Sequence, residues 1–289
     1  MQIQVLGLCR FSLLIEGGYK RAPQDLAARA AFLFDPRRLA MRFAWFRNVT
    51  LPALRAQTEK DFRFVVLTSE ALPEPWRSRL LEMVAGIPQI EVEFAAPGPH
   101  HQVANDALRR RFSPDAEVIA QFRIDDDDAV ARDYVERVHA DFIDGLLPLH
   151  SRFGMVALDH VRGLILDADG RQARLFQTWM LNWNCAQTVY FPPEERRALF
   201  DFGHHRLHAA MPTVTMGDSN MYVHGRHGTN DSQFDIPRFD TRPWDLGALQ
   251  RRFDIDLDAL QADLRAAEAV TGAAPITAEP PRHWPRPEP

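Results

Sequence analysis

Two cysteines in 289 residues, Cys9 and Cys185, leave little scope for cysteine chemistry. They form no CxxC pair and no zinc spacing, and although one disulfide is arithmetically open, a reduced compartment is the simpler expectation. A basic excess is also missing. With 34 Lys+Arg against 39 Asp+Glu the formal net charge is −5, which argues against a nucleic-acid partner. No apolar stretch approaches the ~20 residues needed to cross a bilayer. The opening MQIQVLGLCRFSLL lacks the basic start and long apolar run of a secretory signal and reads as a first core strand. The expectation is a soluble, cytoplasmic protein without a transmembrane segment. There is no internal repeat and no Gly/Ser linker to force a domain boundary.

What is present is ordinary globular material, 46% hydrophobic and 25% charged. Strand-like and helix-like segments alternate up to about residue 145. Ile3 to Leu8, Phe62 to Ser69, Ile90 to Phe94 and Val118 to Ile124 read as strands. Between them, Leu39 to Gln57 (bent or divided at Pro52), Trp76 to Val84 and the stretch QVANDALRRRF carry apolar residues at helical spacing. After the fourth strand, Val130, Tyr134, Val135, Val138 and Phe142 make a helical stripe stopped by Gly145. Repeated strand–helix–strand units predict an α/β fold, a doubly wound, mainly parallel mixed sheet flanked by helices. The second half is less regular. GLILDADGRQARLF reads as a hairpin turning at Asp169-Gly170, QTVYF as a strand, Glu194 to His208 as a helix, and Trp244 to Val270 as a helix in two pieces. The proline-rich end EPPRHWPRPEP reads as a mobile tail.

One stretch is physically odd. EVIAQFRIDDDDAV places four carboxylates, Asp125 to Asp128, directly after a segment that reads as a buried strand. Like charges this close repel, and burial makes the repulsion worse. A helix cap needs one aspartate, not four. In a doubly wound sheet, ligands bind at the carboxyl ends of the strands, where this run sits. Hard divalent cations prefer oxygen ligands, so a bound cation accounts for the run better than a solvated turn does.

RIDDDDAV resembles the Asp-x-Asp-Asp metal motif of glycosyltransferases with the nucleotide-diphospho-sugar transferase (GT-A) fold. FRNVTLPALRAQTEKDFRFVVLTS resembles the region leading into their second strand, and MYVHGRHGTNDS resembles an H-G-x-N segment near the end of the catalytic domain. Together, over roughly residues 35 to 235, these segments are similar to the rhamnosyltransferase group of bacterial GT-A proteins. The resemblance implies a GT-A-like (Rossmann-like) domain over residues 1–240 and a C-terminal helical extension with the tail over 241–289. It implies a metal-dependent glycosyltransferase that moves a sugar from a nucleotide-sugar donor to a glycan or polysaccharide acceptor. It also implies the roles. Asp125 faces the donor, Asp127 holds a Mn or Mg ion, Asp128 is a further candidate ligand, and His227 or His224 completes the shell. The run of identical residues leaves the register of the pair open, and Asp126 is the residue expected to be most replaceable.

An inverting transferase needs a base for the acceptor hydroxyl, and Asp218 in TMGDSNMYV stands where the resemblance places it. The alternative there is a plain Gly-Asp-Ser turn. Arg42 and Arg10 are candidates to approach the donor diphosphate. Trp179, Asn182, Trp183 and Asn184 suit either a sugar platform or core packing. His204 and His208, four apart, lack a third zinc ligand and read as a surface helix. Two rival functions share parts of the pattern. A sugar nucleotidyltransferase usually carries a denser glycine loop than Gly17, Gly18, Lys20 and Arg21 make. A calcium-binding module needs the glycine and distal glutamate that this run lacks.

Overall fold

The computed structural model describes residues 1–20, 22–228, 230 and 245–271. The proline-rich end and Trp244 lie outside the described residues. The first half runs β1 (Ile3–Arg10), α1 (Leu26–Leu33), α2 (Pro36–Trp45), α3 (Leu51–Arg55), β2 (Arg63–Ser69), α4 (Trp76–Val84), β3 (Ile90–Ala95), α5 (His100–Arg109) and β4 (Val118–Arg123). After the aspartates come β5 (Ala129–Val130), α6 (Tyr134–Asp141), α7 (Leu147–Phe153), β6 (Val156–His160), β7 (Arg162–Ala168), β8 (Ala173–Trp179) and β9 (Gln187–Phe191). β10 (Thr213–Met216), β11 (Tyr222–Arg226), α8 (Gly247–Phe253) and α9 (Leu257–Glu268) complete the described chain.

Seven strands form the main sheet in the order β10-β6-β9-β4-β1-β2-β3. β9 is antiparallel to both of its neighbours, and the other pairings are parallel, which is the mixed, mainly parallel sheet expected. The alternation of side chains along β1 explains its two covered faces. Ile3, Val5 and Cys9 pack into one core with Leu39 and Phe43 of α2, Leu80 of α4 and Val135 of α6. Leu6 and Leu8 pack into the other with Ala104, Ala107 and Leu108 of α5. A second sheet, ordered β5-β11-β7-β8, stands at the carboxyl end of β4. Its β7–β8 hairpin turns through Asp169 to Gln172, as the sequence suggested.

Three local expectations need correction. Pro52 neither breaks nor simply bends its helix. α2 runs through a widened π-turn, Phe46–Thr50, straight into α3. The same device, Phe142–Leu146, joins α6 to α7, so Gly145 does not stop that helix; Gly154, at φ 78°, does. Each widened turn comes just before a proline, whose missing N–H and bulky ring are accommodated by the wider backbone path. The segment from Glu194 to His208 is not an α-helix but two short 3₁₀ turns, Leu199–Asp201 and His204–Ala209. Cys9 and Cys185 are both buried free thiols. The C-terminal helices are not peripheral. Leu260 and Leu264 of α9 belong to the main core, and Asp263 accepts a hydrogen bond from Asn48 at 2.9 Å. No helix among the described residues is long and apolar enough to cross a membrane.

Candidate active site

β1 and β4 are parallel neighbours, with Leu8 opposite Arg123. The chain winds outward from β1 to β2 and β3, then returns through α5 to β4. The crevice between the ends of β1 and β4 is therefore the point where the winding reverses, the position at which open α/β sheets bind ligands. Arg10 ends β1 and the aspartate run follows β4. The run is a tight turn, closed by Asp128 N–H donating to the Asp125 carbonyl at 3.1 Å. It hands the chain from the main sheet to β5 of the second. Asp125 is the open member, its side chain 37% exposed. Asp126, Asp127 and Asp128 are buried at 1%, 2% and 0%. Three buried carboxylates in a row require partners, and each has its own.

Asp126 is not turned away to solvent. Arg42, from α2, donates Nε–H to its Oδ2 at 2.9 Å and pairs Nη2 with its Oδ1. Asp127 Oδ2 gathers Arg42 Nη1 at 3.1 Å, His227 Nε2 at 2.8 Å and Asn230 Nδ2 at 2.6 Å. Burial alone would raise the Asp127 pKa, but Arg42 and the His227 hydrogen bond outweigh it and hold this carboxyl well below the usual range. His227 is lowered by burial, against the pull of Asp127. Its ring lies 4.9 Å from that of Trp45, centroid to centroid.

Asp128 makes a separate knot. Oδ1 meets His224 Nδ1 at 2.7 Å and accepts Gly225 N–H at 3.2 Å. Oδ2 accepts Cys185 Sγ–H at 3.1 Å and Asp125 N–H at 3.3 Å. Burial raises the Asp128 carboxyl, with His224 offsetting only part. Burial disfavours the charged form of His224 as well, here by opposing protonation, but the Asp128 charge outweighs it and raises the His224 pKa. The ring of Trp183 lies 4.5 Å from that of His224. β11 can approach this closely because residue 225 is glycine. A Cβ there would strike the Asp127 carbonyl and come within 3.0 Å of the Trp45 ring.

On the opposite face, Arg10 donates to His100 at 3.0 Å and reaches Asp125 at 3.4 Å. Arg123 Nη2 stands 2.7 Å from His204 Nδ1, which places His204 in the crevice wall rather than on a surface helix. Burial, then the Arg123 charge, lower His204 to about 4; burial, then Arg10, lower His100 to about 3.

The structure thus brings Arg10, Arg42, Asp125, Asp127, Asp128, His224 and His227 to one crevice. Asp218 stands apart beyond β10, half exposed, held by Arg137 at 2.9 Å. Arg137 lowers its pKa. Trp179, 57% exposed, packs its ring against Gly217 beside it. Asn182 donates its backbone N–H to buried Asp159 at 2.6 Å, which anchors the loop carrying Trp183. Cys185, Asn230, His100, Arg123 and Gly225 had no role in the sequence reading. Asn230 and Gly225 lay inside a quoted motif and could have been found there, whereas nothing in sequence connects Cys185 to Asp128.

Two donor sets could hold a metal. Asp127 and His227 offer a carboxylate and an imidazole. Nε2 has either one proton or one lone pair, so it cannot both donate to Asp127 and accept from Arg42, 3.2 Å away; an ion bound to both Oδ2 and Nε2 would resolve that conflict. Asp128, Cys185 and His224 place their ligand atoms within 4.8 Å of one another, a softer set.

Residues 4–238 match the family model described as "Putative rhamnosyl transferase". No curated protein sequence matches the chain. Among solved structures, it is similar to S. aureus TarS 1-349 in complex with UDP-GlcNAc, at 11% identity and TM-score 0.40, covering 82% of this chain and 62% of that one. The mannosyltransferase PcManGT from Pyrobaculum calidifontis, in complex with GDP-Man and Mn2+, matches at 12% identity and TM-score 0.39, covering 76% and 56%. This chain therefore spans less than two thirds of the length of either structure.

Proposed function

The chain belongs to the rhamnosyl transferase family, and we propose that it is a metal-dependent glycosyltransferase moving a sugar from a nucleotide-sugar donor to a glycan or polysaccharide acceptor. The observation that supports this most is the buried convergence of Asp127 and His227, 2.8 Å apart, at the reversal point of the sheet. A carboxylate and an imidazole in a carboxylate-rich pocket suit Mn or Mg. In this reading Asp127 and His227 hold the ion. When bound, it supplies Lewis-acid stabilisation to the departing diphosphate.

The chain's own residues do the rest. Asp125, the exposed carboxylate, faces the donor sugar or ribose. Arg10 and Arg42 bring positive charge to the diphosphate. Asp128 and His224, the other sequence candidates for the ion, brace β11 so that His227 meets Asp127. Asp218, kept ionised by Arg137 outside this crevice, is the candidate base for an acceptor whose bound pose carries its hydroxyl between Asp218 and the donor, with Trp179 beside it as a surface for the acceptor sugar. Rhamnose is the transferred sugar named by the family, and the compartment is the cytoplasm. Residues 1–240 form the transferase domain. In the extension over 241–289, α9 supports α2 and so the position of Arg42.

Calorimetric titration with UDP-, GDP- and dTDP-sugars, with and without Mn2+, tests the reading. One donor is expected to bind, with Mn2+ required. Asp127→Asn is expected to abolish transfer while leaving the fold intact. Undiminished transfer in EDTA by both the wild type and Asp127→Asn would refute the metal mechanism. Release of diphosphate from a nucleoside triphosphate and a sugar phosphate would favour a nucleotidyltransferase, and Ca2+ binding without any donor would favour a calcium module.

A further inference from the structure

Arg42 Nη1, Asp127 Oδ2 and His227 Nε2 form a triangle with sides of 2.8, 3.1 and 3.2 Å. The two atoms best suited to hold a divalent ion are thus the two already covered by a guanidinium nitrogen. The other edge of the same guanidinium has a different partner. Nε and Nη2 make a two-point pair with Asp126, whose side chain is buried to the same degree as Asp127. Such forked pairs are geometrically specific, whereas a single N–H reaching a second carboxylate is the weaker attachment. Arg42 is therefore moored at Asp126 and extends one nitrogen into the ion's position. The π-turn Phe46–Thr50 continues α2 directly beyond Arg42.

We propose that Arg42 is a tethered counter-cation: it holds the Asp127–His227 position when no divalent ion is there, competes with the ion for it, and remains on Asp126 when it yields. The inference rests on the reading above, in which Asp127 and His227 are the ligands. It explains why Asp126 is buried and paired rather than replaceable. It also explains how a turn with three buried carboxylates stays folded without metal, since an unpaired buried charge is strongly destabilising. The cost is a weaker grip on the ion. On yielding, Nη1 is freed beside the ion, where an anionic oxygen of the donor can take up its N–H.

The test uses Mn2+ alone, without donor, titrated calorimetrically into the full chain at low ionic strength. Arg42→Gln removes the competitor. Because that change leaves Asp126 buried and unpaired, which destabilises the turn, the charge-balanced double variant Arg42→Gln/Asp126→Asn is measured with it, and circular dichroism reports the fold. Losing a competing charge-assisted hydrogen bond is expected to tighten Mn2+ binding about tenfold or more in the double variant. Asp127→Asn is expected to lose the site. Wild-type affinity, or weaker, in a folded double variant overturns the inference while leaving the metal reading of Asp127 and His227 in place. Absence of Mn2+ binding in the wild type and the folded double variant alike overturns both.

Discussion

Asp128→Asn separates the structural part of the aspartate run from its chemical part. Asp128 is fully buried and holds four donors, two on each oxygen. An asparagine retains one acceptor oxygen. Its amide must then face either His224 and the Gly225 N–H or the Cys185 thiol and the Asp125 N–H, and His224 loses its counter-charge. Breaking one partner of a buried ion pair costs about 3–5 kcal/mol. That is a large share of the roughly 5–15 kcal/mol that holds a typical domain. With a urea m-value of about 3 kcal/mol/M for a chain this large, the midpoint should fall by about 1–1.7 M. Asp127→Asn should behave differently. Arg42 keeps Asp126, and the new side chain still offers an oxygen to Asn230, so the loss should stay below about 2 kcal/mol while transfer is lost. The assay is urea unfolding followed by circular dichroism for both variants and for Asp128→Asn/His224→Gln, which should recover part of the deficit because no unpaired charge is left buried. A midpoint shift of less than about 0.3 M for Asp128→Asn would refute the reasoning, since the pair would then be worth no more than an exposed ion pair.

Gly225→Ala should cost about 1–3 kcal/mol and abolish Mn2+ binding, because the new methyl pushes β11 off the Asp127 carbonyl; unfolding and Mn2+ titration check both effects. Stability should fall on both sides of neutrality. His204 falls from 6.5 unfolded to about 4 folded, so its contribution is complete above pH 6.5 and lost as the pH drops toward 4. His224 is raised from 6.5, so its contribution is complete below pH 6.5 and lost as the pH climbs through the raised value. His224→Gln should therefore remove the alkaline limb of the urea-midpoint profile and leave the acid limb, and a profile unchanged by that variant would contradict the assignment. Trp179→Ala should raise the acceptor KM several-fold, by about 1 kcal/mol of lost ring contact, without changing donor or Mn2+ affinity; a matching loss of donor affinity would place this ring on the donor side instead.

Much of the main sheet was legible because buried parallel strands leave a local mark. Runs such as FVVLTS and VIAQF are apolar on both faces, and the amphipathic stripes between them have helical period. Where the local pattern misled, a proline or glycine was read as a boundary although tertiary packing carried the helix past it. Pro52 and Gly145 both sit in or just after π-turns, whose widened path has no sequence period of its own. The Glu194 to His208 segment reads as a helix in sequence, but its apolar residues Leu199, Phe200 and Leu207 pack into the core with α5 instead of forming one helical stripe.

By itself, the sequence indicated that this chain folds around a mainly parallel mixed sheet, that a cluster of charge lies at the carboxyl end of its fourth strand, and that the cluster resembles a glycosyltransferase motif. Those properties depend on residues near one another in the chain. Which aspartate meets which partner was decided only by the tertiary structure. Four identical side chains in one turn differ solely in what faces them, and their partners come from β1, α2, β11, the residues just after β11 and the loop before β9, with Cys185 57 and Asn230 103 residues from the aspartate each meets. Opposite charges and buried donors set each carboxylate's environment through short-range electrostatics in a low-dielectric pocket, and such differences have no expression in local sequence.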